Sequence, residues 1–127
     1  KHLNMFEIQY LDRKNNEKSW QIASRASELK CITKQFDISD AVIIVPFHKK
    51  QDKLVIIKEF RMALGDYQYG FPAGLVDKDE TIKKASRREL KEETGLNVTS
   101  FKKINPPVYS SSGMTDESVS MVYVECD

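Results

Sequence analysis

The sequence predicts a domain of mixed α+β or layered α/β class, and three observations carry that prediction. Apolar runs rich in β-branched residues alternate with polar turns, as strands do. One stretch, residues 81–93, has the length and end signals of a helix. At 127 residues the chain has room for one domain with a real core and little room for a second.

Taken in order, FEIQYL (6–11) alternates as a strand, RKNNEK is a polar turn, and SWQIASRAS returns with strand character. The pair reads as an N-terminal β-hairpin. DAVIIVPFH (40–48) is a continuous apolar run, expected of a buried central strand, and after the turn HKKQDK its partner strand is KLVIIKEFR (53–61). The glycine- and aromatic-rich segment MALGDYQYGFPAGLVD suits a loop and short strand with close backbone approach. Thr81 is the candidate N-cap of the helix and Gly95 its stop. LNVTSFKKI and SVSMVYVEC then read as two further strands, separated by the loop NPPVYSSSGMTDE.

Composition narrows the function. The chain is 40% hydrophobic and 31% charged, with a formal net charge of +1, so no global field argues for nucleic acid. No apolar run approaches the roughly 20 residues that span a bilayer, and KHLNMFEIQYLDRKNN lacks the apolar core of a signal peptide. Cys31 and Cys126 are far apart and match no metal spacing; unpaired thiols in a cytoplasmic protein are the preferred reading. His2 and His48 read as surface or turn residues without a role.

The helix carries the chemistry. At 100° per residue Ile82, Ser86, Glu89 and Glu93 share one narrow face, Glu92 lies about 60° from Glu89, and Lys83, Lys84, Arg87 and Lys91 fall on the far side. Glu89 and Glu93 repel by roughly 0.2–0.5 kcal/mol on an exposed helix. At ~5.5 Å in a partly buried site that grows to about 3 kcal/mol. A solvated face with an Arg88–Glu92 pair would absorb this. Ile82, however, marks the face as core-bordering, where uncompensated charge is expensive. Hard oxygen donors at short spacing suit Mg²⁺ or Mn²⁺.

The surrounding spacing is more specific. Gly74, five residues, Glu80, seven residues, and then Arg88-Glu89-Leu90-Lys91-Glu92-Glu93-Thr94-Gly95-Leu96 resembles the Nudix box at every defined position. The resemblance implies a Nudix fold, a mixed β-sheet sandwiched between helices. It also implies a hydrolase of a nucleoside diphosphate linked to another moiety, with Mg²⁺, or Mn²⁺, as cofactor. By resemblance Glu89 and Glu93 are the firmest metal ligands, Glu92 serves a further metal or its water, and the Ala73 carbonyl is another ligand. Arg88 is expected to hold a box glutamate in place, and Glu80 to be structural. The general base is a box glutamate or lies in a later loop.

Beyond the box the chain resembles the ADP-ribose pyrophosphatase branch. SWQIASRAS is similar to its tryptophan-containing hairpin, often part of a homodimer, and KEFR followed by YGFPAGLVD to the segment ahead of its box. SSSGMTDES resembles a loop that shapes the sugar-nucleotide site. On this reading Arg61, Ser112, Gly113 and Glu117 bind substrate, although Ser112 stands where that branch often has proline. Trp20 stacks on adenine or serves packing. Tyr67, Tyr69 and Phe71 line the cleft or fill the core.

Residues 1–38 then form a hairpin region that can dimerise and 39–127 the catalytic domain, which the branch continues beyond Asp127. ADP-ribose or a related nucleoside diphosphate sugar is the expected substrate, with no nucleic-acid or membrane partner. The alternatives are another nucleotide, such as a damaged nucleoside triphosphate, or a non-catalytic module that senses ADP-ribose.

Overall fold

The computed structural model describes residues 3–127, which form three β units and one long helix that packs on the largest of them. Strands β1 (Asn4–Leu11) and β2 (Glu17–Ser24) form an antiparallel hairpin with Asn4 opposite Ser24 and Leu11 opposite Glu17. Asp12 closes the turn, its Oδ1 accepting from the Lys14 and Asn16 N–H groups at 2.7 and 3.0 Å. A single helical turn, α1 (Lys30–Thr33), follows. His2 lies outside the described residues.

The main sheet is built on β3 (Ala41–His48), paired in parallel with β10 (Ser118–Cys126), which in turn pairs antiparallel with β8 (Val98–Ile104). Parallel pairing needs a crossover, and the helix α2 (Ile82–Thr94) lies within it. Along β3 and β10 the alternate residues Val42, Ile44, Val122, Val124 and Cys126 are buried, and they meet Ala85 and Leu90 of α2 and Val98 of β8. Val42, Ile44, Leu90 and Val122 are fully buried, each contributing about 1.5–3 kcal/mol relative to exposure. Thr81 caps α2 by accepting from the Lys84 N–H at 3.3 Å, and Gly95 ends it in the left-handed region at φ 76°.

The segment KLVIIKEFR does not form one strand. Only β4 (Lys53–Leu54) pairs with β3, and after Val55 the chain leaves to form β5 (Ile57–Arg61), paired with β6 (Asp66–Gly70) in a separate two-stranded ribbon. Competition for one edge explains the break. β7 (Ala73–Leu75) takes the first half of the β3 edge, with Ala41 opposite Leu75 and Ile43 opposite Ala73, and the Ile44 N–H donates to the Pro72 carbonyl at 2.8 Å. Pro46 has no N–H with which to prolong the β4 ladder. The short β9 (Val108–Tyr109) pairs with β10 inside a segment expected to be loop.

Candidate active site

Edge capture by β7 sets up the site, because it lays the Ala73–Leu75 backbone against α2. A Cβ built on Gly74 would penetrate the Glu89 carboxyl, so glycine is what lets that side chain reach the strand. The Ala73 N–H donates to Glu93 Oε2 at 3.0 Å, fixing the second carboxylate against the same backbone. The two glutamates anticipated one turn apart on the core-bordering face are therefore both folded onto β7.

Arg88 organises the rest. Its Nε and Nη2 donate to the two Glu80 oxygens at 3.1 and 2.8 Å, the paired geometry a guanidinium favours. Nη2 also donates to the Leu75 carbonyl at 3.0 Å, and Nη1 to Glu89 Oε1 at 2.5 Å. Glu92 is more loosely held, 3.5 Å from Nη1. Hydrogen bonding to Glu80, opposed by burial and joined by Glu89, pushes the Arg88 pKa further above its already high ordinary value. The Asp77 N–H donates to Glu80 Oε2 at 3.0 Å, which fastens the start of the box loop to the same cluster.

Glu93 is electrostatically distinct. As a residue it is exposed, yet burial of its carboxyl end is the largest influence on its pKa and pushes it up. The negative charges of Glu89 and Glu59 act in the same direction, while the Ala73 N–H and the Arg61 guanidinium oppose them. Arg61, at the end of β5, thus stands within electrostatic reach of the box, paired through Nη2 with Glu59 Oε1 at 2.6 Å.

The other expected substrate residues gather elsewhere. Gly113 accepts a hydrogen bond from Trp20 Nε1 at 2.9 Å, and the Met114 carbonyl one from the Ala23 N–H at 2.8 Å. Glu117 lies 3.5 Å from Arg25 Nε. Ser112 and Trp20 border a cavity of about 250 Å³ under the hairpin. Box residues and Arg61 therefore form one group, and Ser112, Gly113 and Glu117 form a second with the hairpin. A separate cleft of about 650 Å³ is lined by Arg25, Asp40 and the box loop Leu75–Glu80.

Asp40 connects the groups. Its carbonyl accepts from the Val76 N–H of the box loop at 2.9 Å, and its carboxylate accepts from the Ser118 N–H at 2.8 Å and from Lys30 Nζ at 2.7 Å. Lys30, buried to 9% side-chain exposure, also donates to Ser118 Oγ at 2.7 Å. Sequence reading passed over Lys30, Asp40, Arg25 and Glu59. Lys30, Asp40 and Arg25 have partners ten or more residues away, beyond local pattern, whereas Glu59 and Arg61 are two apart on one strand, a pairing that strand alternation alone would have offered. Core filling by Tyr67 and Tyr69 is corrected: they are 57% and 68% exposed, on the outer side of the β5–β6 ribbon against Lys58. Phe71 is half-buried, and Trp20 is exposed.

Comparison with known proteins gives this geometry a family. Residues 38–127 match the NUDIX domain. The chain is 32% identical, over 131 aligned positions, to the ADP-ribose pyrophosphatase of Saccharomyces cerevisiae, covering 100% of this chain and 54% of that protein. It is 38% identical over 90 residues to the ADP compounds hydrolase NudE of Escherichia coli, covering 68% of this chain and 47% of that protein. The crystal structure of an ADP compounds hydrolase superposes with a TM-score of 0.77 at 21% identity, over 97% of this chain and 59% of that one, and so shares the fold. The chain spans about half the length of the curated relatives it matches. With its box intact and folded as described, the chain belongs to the Nudix hydrolase family.

Proposed function

We propose that this protein hydrolyses the diphosphate bond of ADP-ribose or a related nucleoside diphosphate sugar in a divalent-cation-dependent reaction, with Mg²⁺ the expected ion and Mn²⁺ its substitute. The observation that carries the reading is the pair of carboxylates, Glu89 and Glu93, brought onto the β7 backbone by Gly74 and the Ala73 N–H. The names of the relatives, ADP-ribose pyrophosphatase and ADP compounds hydrolase, support the substrate class.

The donor set fits a hard cation. Glu89, Glu93, Glu92 and the Ala73 carbonyl offer oxygen alone, the donor Mg²⁺ prefers. Among the described residues no three His, Cys, Asp or Glu side chains form a ready-made cage. A site flanked by two carboxylates leaves positions for water and phosphate oxygens, as Mg²⁺ sites usually do. When bound, such an ion neutralises phosphate charge and lowers the pKa of a water.

The chain's own groups supply the remainder. Arg88 fixes Glu89 and anchors it through Glu80, and Arg61 offers the guanidinium donors suited to a phosphate. Water adds to one phosphorus, the bridging P–O bond breaks, and two phosphate monoesters leave. Glu92, the least engaged box carboxylate, is available to accept the water's proton. Ser112, Gly113, Glu117 and Trp20, gathered at the hairpin, would contact the nucleoside-sugar end of the substrate.

The same proposal takes residues 1–38 as a hairpin region contributing to a homodimer and 39–127 as the catalytic domain. Exposed Met5 and Leu11, on one face of the hairpin, support the dimer. It places the protein in the cytoplasm, a reading supported by two free cysteines. No described helix is long and apolar enough to cross a membrane.

Product analysis after incubation with ADP-ribose and Mg²⁺ tests the reaction, and AMP plus ribose 5-phosphate is the expected outcome. Faster cleavage of nucleoside triphosphates than of ADP-ribose would overturn the substrate assignment.

A further inference from the structure

The β5–β6 ribbon has two chemically different faces. On one, Lys58 Nζ lies 5.1 and 5.7 Å from the ring centres of Tyr67 and Tyr69, and Phe60 meets Tyr67 edge-on at 5.3 Å. Strand alternation puts Ile57, Glu59 and Arg61 on the other face, where Ile57 and Glu59 are half-buried. The Arg61–Glu59 contact of 2.6 Å lies on that face, with the Arg61 side chain half exposed. Glu59 and Arg61, of opposite charge, both lie within electrostatic reach of Glu93.

We propose that Glu59 is a positioning residue for the diphosphate: its carboxylate holds the Arg61 guanidinium off Glu93 and aims its remaining donors at a phosphate. The inference rests on the reading of the box as a diphosphate hydrolase and adds a residue outside the box to it. An arginine has five N–H donors, and the contact with Glu59 engages one terminal nitrogen, Nη2. A guanidinium without that restraint has Glu93 as an alternative anion, and pairing there would withdraw one carboxylate from a cation and one donor group from the substrate. Glu59 suppresses both losses through one short contact.

A double-mutant cycle of E59Q and R61M tests this, reading kcat and KM for ADP-ribose together with the equilibrium Kd of ADP in Mg²⁺. For a half-exposed pair the expected effect of E59Q is about a fivefold rise in KM and in Kd, with kcat within about twofold. In the R61M background E59Q should no longer raise either quantity, because that loss passes through Arg61. Additive effects, a loss confined to kcat, or an unchanged KM and Kd would each overturn the proposal. Thermal unfolding accompanies every variant, and if E59Q does not fold, E59D carries the same cycle. Wild-type turnover separates the two levels: if ADP-ribose is not hydrolysed the parent reading fails, while ADP binding still decides whether Glu59 works through Arg61.

Discussion

Replacing Gly74 by alanine isolates the contact on which the box geometry depends. The backbone at Gly74 lies outside the left-handed region, so alanine fits its conformation and the added methyl alone is at issue. That methyl would occupy the place of the Glu89 carboxyl, which is 12% exposed and bonded to Arg88 at 2.5 Å. The carboxyl has to swing away or the strand has to lift from the helix. Losing one charge-assisted hydrogen bond between largely buried groups costs about 1.5–3 kcal/mol, which corresponds to roughly ten- to hundredfold. If Glu89 is a ligand, kcat/KM falls by at least that factor, and the apparent Mg²⁺ requirement rises with it. The assay is steady-state hydrolysis of ADP-ribose across a Mg²⁺ titration, paired with thermal unfolding. Activity within threefold of wild type, at unchanged Mg²⁺ dependence, would refute the contact between Gly74 and Glu89 as a functional constraint.

E93Q should leave the fold intact and lower kcat by about 10²–10³-fold, as removal of a charge-stabilising group does. Its stability effect has a defined sign. Burial first, then Glu89 and Glu59, push the Glu93 carboxyl above its ordinary 4.5. The folded state therefore holds that proton more tightly than the unfolded state, and the associated stability is complete below about 4.5 and lost as pH rises through the raised value. A permanently neutral glutamine should accordingly give a higher Tm than metal-free wild type at pH 7. Mg²⁺ should raise the wild-type Tm and leave that of E93Q unchanged; the reverse order in thermal melts at pH 4 and 7 would contradict the assignment. K30M strands the Asp40 carboxylate, which keeps its Ser118 N–H bond but loses the 2.7 Å contact with Lys30. About 3 kcal/mol of destabilisation is expected, or roughly 10 °C in Tm, and a loss below about 1 kcal/mol in denaturant unfolding would argue against a buried pair.

Much of the frame was legible because its signals are local. Thr81 and Gly95 announce both ends of α2 through their own capping chemistry, and the apolar runs of β3 and β10 have the length and branching of buried strands. The break in KLVIIKEFR was not legible, since nothing in Val55 or Ile56 opposes a strand. It follows from β7, some 20 residues later in the chain, occupying the edge that the segment would otherwise have extended along. Once β5 leaves the sheet, Tyr67 and Tyr69 face outward, so their exposure traces to that one non-local event, while Glu59 and Arg61, two apart on one strand, share a face whatever the strand pairs with. The Lys30 contacts with Asp40 and Ser118 span 10 and 88 residues, beyond the reach of any periodicity.

The crowded helix face is resolved unevenly, and the unevenness has chemical content. Glu89 has a guanidinium at 2.5 Å, whereas Glu93 has a neutral N–H at 3.0 Å and a pKa displaced upward. Had a second arginine closed on Glu93 as Arg88 closes on Glu80, the face would be electrostatically complete and would have little affinity left for a cation. Arg61 is the nearby candidate for that role, and Glu59 engages it at 2.6 Å. Like charges held together without full compensation raise the free energy of the metal-free state, and any cation that relieves them gains that difference as binding energy. The pairing that stabilises the box and the pairing that is withheld from it are thus parts of one arrangement, in which removing Glu59 should weaken the site even though it removes a negative charge.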